Sequence, residues 1–275
     1  MWVCLAMACA APSLSYVPDE PFRFVGGHLA ADLVNTVSWE TRGPANDRLS
    51  DYFRVLEWAE RAGALPPSAV ASLRESARVR AFEADAVHEE ARWLREVLWR
   101  LFVAVARGEL HEPGGVQALA EFNGLLHSAL SELRLAPSHQ RGSGDSGGSG
   151  DSVGSGDFGG LGDSSGSWDL SRQFSPGVPE GARQPMPVLT WSWNLEPARL
   201  DSVLRPVVWA AARLLASPDA ARIGVCAGPE CGWVFVDYSR NGLRRWCDMQ
   251  SCGTRAKSRR RAARSRTGAA AGSSA

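Results

Sequence analysis

Four cysteines within 27 residues limit what this chain can fold into more than any other feature. Cys226 and Cys231 are separated by four residues, as are Cys247 and Cys252, and fifteen residues lie between the two pairs. Zinc bound by four thiolates needs two short chelating loops that meet at tetrahedral angles, and this spacing allows it. We therefore predict a structural Zn²⁺ site with all four cysteines as ligands. Since no ligand position stays open, catalytic zinc is not expected.

Two other interpretations of the four cysteines remain open at this point. They could form two buried disulfides or stay unrelated thiols, and a zinc site could also respond to oxidation by releasing its metal. The other two cysteines, Cys4 and Cys9, lie near the N-terminus, and no cysteine lies between Cys9 and Cys226. A secreted disulfide scaffold would spread its cysteines through the core. We therefore expect a reducing compartment and a cytoplasmic location.

The residues around the cysteines predict the elements of a small module. Gly228, Pro229 and Gly232 favour turns around the first pair. Residues 233–236 are typical of a strand, 239–242 of a turn, and 244–246 of a return strand, followed by a helix over 254–266. A knuckle, a hairpin and a helix in this order predict a treble-clef-like zinc module.

Charge is divided unequally between the module and the rest of the chain. The formal net charge is zero, but residues 223–275 carry 10 Lys and Arg against 3 Asp and Glu, a net +7. Such asymmetry favours a nucleic-acid partner, with arginines contacting phosphates. The predicted nucleic-acid-binding residues are Arg240, Arg244, Arg245, Arg255, Lys257, Arg259, Arg260, Arg261 and Arg264. An Arg-rich tail that is merely solvated is the alternative.

Apolar periodicity before the module predicts helices over 30–37, 51–62, 67–80, 84–107, 115–130 and 197–216. Ser50 is the expected N-cap of the second, with Leu49, Phe53 and Leu56 on one side. Residues 188–195 alternate as a strand, whose nearest partner is 133–135. The fold class is therefore mainly α with a small β component: a helical N-terminal domain with a short β-hairpin, then the zinc module.

The strongest break in composition is residues 141–167, of which 11 are Gly, 8 Ser and 4 Asp. Such a segment buries too little apolar surface to offset its backbone entropy. We predict a disordered insertion over 137–187 inside one domain spanning 21–216, a zinc module over 222–266, and disordered ends at 1–20 and 267–275. No apolar run reaches the length of a transmembrane helix, so we expect no membrane partner.

The module carries several motifs together: Cys226-x4-Cys231, Trp233-x-Phe235-x-Asp237, Ser239-Arg240-Asn241, Arg244-Arg245-Trp246-Cys247-x-Met249 and Cys252-Gly253-Thr254-Arg255-x-Lys257. In these residues the chain closely resembles the CGNR zinc-finger family of bacteria. The family is named after a Cys-Gly-Asn-Arg motif, and Thr254 stands where its Asn is found. The resemblance covers about residues 222–266.

The preceding part resembles the ABATE-type domain of stress-induced transcription regulators, through Gly26-Gly27-His28 and the segment from Ala31 to Thr36. The resemblance implies a DNA-binding transcription regulator. We expect its N-terminal helical domain to sense a small-molecule ligand or to mediate homodimerisation. Asp32 and Asn35, three apart on a helix, are candidate ligand contacts, and helix capping with bonding to the next loop is the alternative. An RNA-binding or protein-interaction module with an architectural or redox-responsive zinc site is the second candidate function. No nucleophile motif or phosphate loop is present, so we do not expect an enzyme.

Overall fold

The computed structural model describes residues 21–40, 43–137, 189–193 and 199–262. Within these ranges most residues are helical: α1 (Leu29–Val34), α2 (Tyr52–Arg61), α3 (Pro67–Val79), α4 (Ala81–Arg107), α5 (Pro113–Leu130), α6 (Arg205–Leu215) and α7 (254–262). Three antiparallel pairs of short strands complete the described fold: β1 (Ser38–Glu40) with β2 (Gly43–Ala45), β3 (Leu133–Pro137) with β4 (Leu189–Trp193), and β5 (Ile223–Val225) with β6 (Val234–Val236). The prediction of a mainly α fold is confirmed.

Helix α4 is the centre of the helical body, which we define as α1 to α6 with strands β1 to β4. It contacts α1, α2, α3 and α5. Leu94, Leu98 and Leu101 are buried because they recur every three to four residues and so share the face that meets these helices. The helix ends at Arg107, which is the predicted last residue, and Gly108 caps it with a left-handed backbone (φ 71°).

The start of α2 differs from its prediction. Asp51, not Ser50, is the N-cap, because its carboxylate accepts the backbone N–H of Arg54 at 2.9 Å. The hydroxyl of Ser50 instead donates to the Asp51 carboxylate at 3.1 Å. Leu49 and Leu56 are buried as expected, but Phe53 is 38% exposed. The N-cap thus lies one residue later than predicted, and Phe53 does not share the buried side of Leu49 and Leu56.

Helix α5 also buries a different face from the one that its large apolar residues suggest. Val116 and Leu119 are 53% and 37% exposed, whereas Ala118 and Phe122 are buried. The helix packs against α4 and α6, and its small residues allow close contact there. Apolar periodicity therefore predicted the helix, and its buried side is formed by small residues together with Phe122.

The hairpin of β3 and β4 joins two segments that the Gly/Ser/Asp-rich region separates in the sequence. Leu133 pairs with Trp193 at one end, and Pro137 pairs with Leu189 at the other. This confirms the predicted partner of the second strand. Trp193 is buried, and Leu189 and Trp191 are exposed, so the hairpin is anchored at one end only. The predictions made for 1–20, 138–187 and 267–275 lie outside the described residues.

Pro206 determines where α6 begins. It lies in the first turn, where its missing backbone N–H leaves no intrahelical hydrogen bond unmade. A tighter turn, Leu200–Val203, precedes the helix. The α-helix is consequently shorter than the predicted 197–216.

The zinc module (222–262) packs directly on the helical body. Strand β5 contacts α4, and β6 contacts α1 and α4. Val234, Val236 and Cys247 belong to the same buried apolar cluster as Leu33 and Leu98. Body and module therefore share one hydrophobic core. Among the helices described, none combines the length and the apolar character needed to cross a membrane.

Candidate metal centre and nucleic-acid interface

The four cysteines of the zinc module meet at one point. Their Sγ atoms all lie within 4.8 Å of one another, and Cys247 Sγ is 3.6 Å from both Cys231 Sγ and Cys252 Sγ. Tetrahedral zinc with Zn–S bonds of about 2.3 Å places its sulfurs roughly 3.8 Å apart. Cys226, Cys247 and Cys252 are buried and Cys231 is partly so. The donor set and its spacing fit Zn²⁺, so the zinc cofactor expected from the sequence is supported.

Two glycines allow the first chelating loop to approach its neighbours. A Cβ on Gly228 would lie 3.1 Å from Cys252 Sγ and 3.4 Å from Cys226 Sγ. Gly232 has a positive φ of 62°, and a Cβ there would lie 2.4 Å from the carbonyl oxygen of Trp39. Side chains at these positions would displace either the sulfurs or the helical body.

The strand that pairs with β6 is not the predicted one. Residues 244–246 are not a strand, and β6 pairs instead with β5, which precedes the first cysteine pair. The knuckle of Cys226 and Cys231 therefore connects the two strands. Residues 244–246 make other backbone contacts: the N–H of Arg244 donates to Asp237, and the carbonyl of Arg245 accepts from Ala227. The prediction of a return strand after the turn was wrong.

Four thiols this close do not all ionise unless a cation lies among them. The hydrogen bond with the Cys226 sulfur raises the pKa of Cys231 to about 12, and bonds to Cys226 and Cys231 raise the pKa of Cys247. The same contacts lower the pKa of Cys226 to about 2. A divalent cation supplies the charge that permits four thiolates together. The chemistry of the cluster thus agrees with its geometry.

The second chelating loop leads into α7 through a wide helical turn, Met249–Gly253. The carboxylate of Asp248 caps this turn by accepting the N–H of Gln250 at 3.0 Å. The guanidinium of Arg255 donates to Cys252 Sγ at 3.1 Å. Because a zinc ion with four thiolates carries a net negative charge, this arginine offsets part of that charge.

Asn35 connects the module to the body at both polar atoms of its amide. Its Nδ2 donates to the carbonyl of Val234 at 2.8 Å, and its Oδ1 accepts the N–H of Val234 at 3.0 Å. Asn35 is thus fully engaged in the interface, which favours a structural role over the predicted ligand contact. Sequence reasoning singled out this residue but not its partner, 199 residues away.

Three tryptophans extend the same interface. The indole of Trp233 donates to the carbonyl of Val37 at 2.8 Å, and that of Trp99 donates to the carbonyl of Gly232 at 3.0 Å. The N–H of Trp39 donates to the carbonyl of Cys231, a cysteine of the cluster, at 3.2 Å. The site therefore depends on the body for its position, and no sequence pattern indicated this.

Asp32 is also engaged within the protein. Its carboxylate accepts the N–H of Gly26 at 2.7 Å. Burial raises the pKa of Asp32 to about 7, although the bond from Gly26 and the charge of Arg244 act in the opposite direction. The residue holds the segment before α1 against the helix, as in the capping and bonding alternative to a ligand contact.

Family models match both parts of the chain. The CGNR zinc finger matches residues 222–265. The ABATE family, described as "Putative stress-induced transcription regulator", matches residues 27–153. The chain is an ABATE-domain protein with a CGNR zinc finger. None of the curated proteins compared matches it. The zinc module is this CGNR finger, both families are of regulator or zinc-finger type, and the chain is accordingly a regulatory zinc-finger protein.

In the CGNR finger, Thr254 replaces the Asn of the family's motif. Its hydroxyl donates to the carbonyl of Met249 at 3.1 Å, within the turn that leads into α7. The side chain of Thr254 therefore bonds within this turn.

Most of the predicted nucleic-acid contacts face solvent on the CGNR finger. Six basic residues, one in the turn and five in α7, are exposed: Arg240, Lys257, Arg259, Arg260, Arg261 and Arg255. The side chains of the first four have neither an ion pair nor a hydrogen bond to any described residue. Arg245 is exposed too, with its guanidinium 5.7 Å from the centre of the Trp246 ring. Arg264 lies outside the described residues.

Arg244 differs from these residues because its guanidinium points into the protein. It donates to the carbonyls of Val25 at 2.6 Å, Trp246 at 3.0 Å and Cys247, and it lies 4.4 Å from the centre of the Phe235 ring. With these partners, Arg244 supports the second chelating loop from inside. The sequence pattern did not distinguish it from its neighbour Arg245.

Proposed function

We propose that this protein is a DNA-binding transcription regulator in which the CGNR finger contacts DNA and the ABATE domain holds the finger in place. The observation that carries the proposal is the set of unpartnered basic side chains on the solvent-facing part of the finger. Arg240, Lys257, Arg259 and Arg260 are exposed and have no acidic partner among the described residues. Phosphate groups are the partners that such side chains accept most readily.

The contrast with the ion-paired arginines outside the finger supports this function. In the helical body and the segment before α6, Arg95 and Asp47 form a buried bidentate pair at 2.6 Å, and Arg199 pairs with Glu132 and Asp201. On the finger, the positive charges of Arg240, Lys257, Arg259 and Arg260 instead lie without an ion-paired carboxylate among the described residues, so their mutual repulsion is relieved when a polyanion binds. A small-molecule ligand and a homodimer remain predictions about the N-terminal helical domain.

Salt-dependent binding to duplex DNA tests the proposal. The intact, zinc-loaded chain is titrated against a duplex of random sequence at about 50 to 200 mM salt, and the affinity is followed by fluorescence anisotropy. We expect the affinity to fall steeply with salt. Arg259→Ala weakens binding to all duplexes alike and reduces the slope of log K against log salt by about 1.

Arg134→Ala is the matched control, since Arg134 is an exposed arginine on β3 of the ABATE domain. It removes the same charge from the protein but none from the finger. If both variants lose the same affinity, the binding is a general charge attraction and the proposed interface is wrong. Binding to RNA of the same length but not to DNA would favour an RNA-binding module instead.

A further inference from the structure

A six-residue loop of the finger, 238–243, is exposed along its whole length. One buried carboxylate holds both ends of this loop. Asp237, which is 7% exposed, accepts the N–H of Ser239 at 2.9 Å with Oδ1 and the N–H of Arg244 at 2.8 Å with Oδ2. Because a single side chain binds both ends, the loop leaves the protein from a fixed base.

The base of the loop is in turn attached to the metal centre and the ABATE domain. Arg244, the residue after the loop, donates to the carbonyl of Cys247 beside the metal cluster and to that of Val25 before α1. On the other side, the N–H of Val236 in β6 donates to the carbonyl of Gly26 at 2.8 Å. These bonds pre-organise the loop, so little entropy is lost when it binds a partner.

A tight turn forms the tip of the loop. The N–H of Gly242 donates to the carbonyl of Ser239 at 3.1 Å, which places Arg240 and Asn241 at the two central positions. Gly242 has a φ of 59°, which glycine adopts readily. Both side chains are exposed and bind no described residue, although Asn in a turn commonly bonds its own backbone. Leu243, next to the turn, is 76% exposed.

These side chains match the edges of DNA bases. Arginine makes two hydrogen bonds to guanine O6 and N7, asparagine makes two to adenine N6 and N7, and apolar groups contact the thymine methyl. All three base edges lie in the major groove, which at about 12 Å is wide enough for a two-stranded β-ribbon. A single turn is no wider than such a ribbon.

We propose that the loop 238–243 is the base-reading element of the finger, with Arg240 contacting guanine and Asn241 contacting adenine in the major groove. The inference rests on the proposed DNA-binding function and divides that function between two elements. The basic residues of α7 contact phosphates and position the finger, whereas the loop supplies sequence preference. Leu243 contacts a thymine methyl beside these bases.

The test begins with selection of preferred duplexes from a random pool by the intact, zinc-loaded chain. Affinities are then measured for the selected duplex and for duplexes with one base pair exchanged. For Asn241→Ala, we expect an affinity for the selected duplex about 10-fold lower, loss of preference at one A·T pair, and an unchanged salt slope. Arg240→Ala does the same at a G·C pair, with a slope reduced by at most about 1.

Two controls separate this result from a general loss of binding. Asn123→Ala removes an exposed asparagine of α5 and leaves all affinities unchanged. Arg259→Ala lowers the affinity for selected and exchanged duplexes by the same factor and so leaves the preference intact. Zinc content and circular dichroism of each variant, equal to those of the original chain, show that the finger is folded.

The outcomes distinguish the two proposals. If the original chain binds no duplex, the proposed function fails, and the base-reading loop fails with it. If the chain binds all duplexes equally, or keeps its preference in both Asn241→Ala and Arg240→Ala, the loop does not read bases, while the proposed DNA-binding function still holds. Loss of preference in Arg259→Ala alone would assign base reading to α7 and overturn the inference.

Discussion

The helical body and the CGNR finger are stabilised in different ways. In the body, helices of up to 27 residues bury continuous apolar faces against one another. The finger has strands of only three residues, β5 and β6, and much of the apolar surface that it buries lies against the body. Segments this small do not fold by apolar burial alone, so the finger needs both its metal and its neighbour.

This difference shows that the finger is part of the folded core and not a separate unit attached to it. Its β6 strand is hydrogen-bonded to Asn35 and Gly26, and its knuckle accepts a hydrogen bond from Trp39. Loss of the metal is therefore expected to disturb the finger most, while the distant helices α2 and α3 retain their packing. Three substitutions test how far the two regions depend on each other.

Cys247→Ser has the largest expected effect. One zinc ligand is lost, and the coupling of metal binding to folding then unfolds the finger, because structural zinc in such modules contributes about 10 kcal/mol or more. We expect loss of about one zinc per chain in metal analysis. In hydrogen exchange, the amides of Val234 and Val236 lose protection, while those of α3 keep it.

Cys9→Ser is the matched control, since Cys9 lies outside the two cysteine pairs of the zinc motif in the sequence. It is expected to leave zinc content and amide protection unchanged. Persistent amide protection of the finger in Cys247→Ser would mean that contacts with the body suffice to fold it. The finger would then not differ from the body in needing a metal.

Asn35→Ala tests the interface itself. The substitution leaves the buried N–H and carbonyl of Val234 without partners, and each unsatisfied group costs about 1–3 kcal/mol. We expect the free energy of unfolding to fall by about 2–4 kcal/mol in denaturant titrations, with zinc still bound. Asn123→Ala, at an exposed position of α5, changes it by less than about 0.5 kcal/mol. Equal effects of the two variants would contradict the interface described here.

Asp32→Asn is expected to have the smallest effect, and its size depends on pH. Since burial raises the pKa of Asp32 to about 7, the folded state holds a proton that the unfolded state loses near pH 4. The stability contributed by this proton is fully present below pH 4 and falls as the pH rises to about 7. Asn cannot ionise, so the variant lacks this fall.

We expect the free energy of unfolding of Asp32→Asn to exceed that of the original chain by on the order of 1 kcal/mol at pH 8 and to equal it near pH 5. This gain in stability is smaller than the raised pKa of Asp32 alone implies, because the N–H groups of the new side-chain amide also need hydrogen-bond acceptors. Thermal unfolding across this pH range measures the difference. A difference that does not change with pH would show that Asp32 is ionised in the folded state throughout.

The sequence predicted those features that depend on local pattern or on spacing. The four cysteines predicted the zinc site because two pairs at fixed spacing limit the geometry strongly. Apolar periodicity predicted α4 and its stop at Gly108, and alternation predicted the strand that pairs with Leu133–Pro137. In each case the signal lies within a short stretch of chain.

The features that the sequence did not reveal depend on contacts between distant residues. Asn35 binds Val234, and Arg244 binds Val25, at separations of 199 and 219 residues that leave no periodic signal. The predicted strand partner of β6 was wrong for a related reason. Residues 244–246 have strand-like composition, but the carboxylate of Asp237 already binds the N–H of Arg244.

The pairing of Pro137 with Leu189 at the open end of the β3–β4 hairpin has a consequence for how this protein tolerates change in length. The two ends of the connection 138–188 are held beside each other by a strand pair whose other end is anchored in the core. For a connection closed in this way, doubling its length costs only about 0.6 kcal/mol. Insertions, deletions or a whole foreign domain introduced there are therefore expected to leave the core and the metal centre intact.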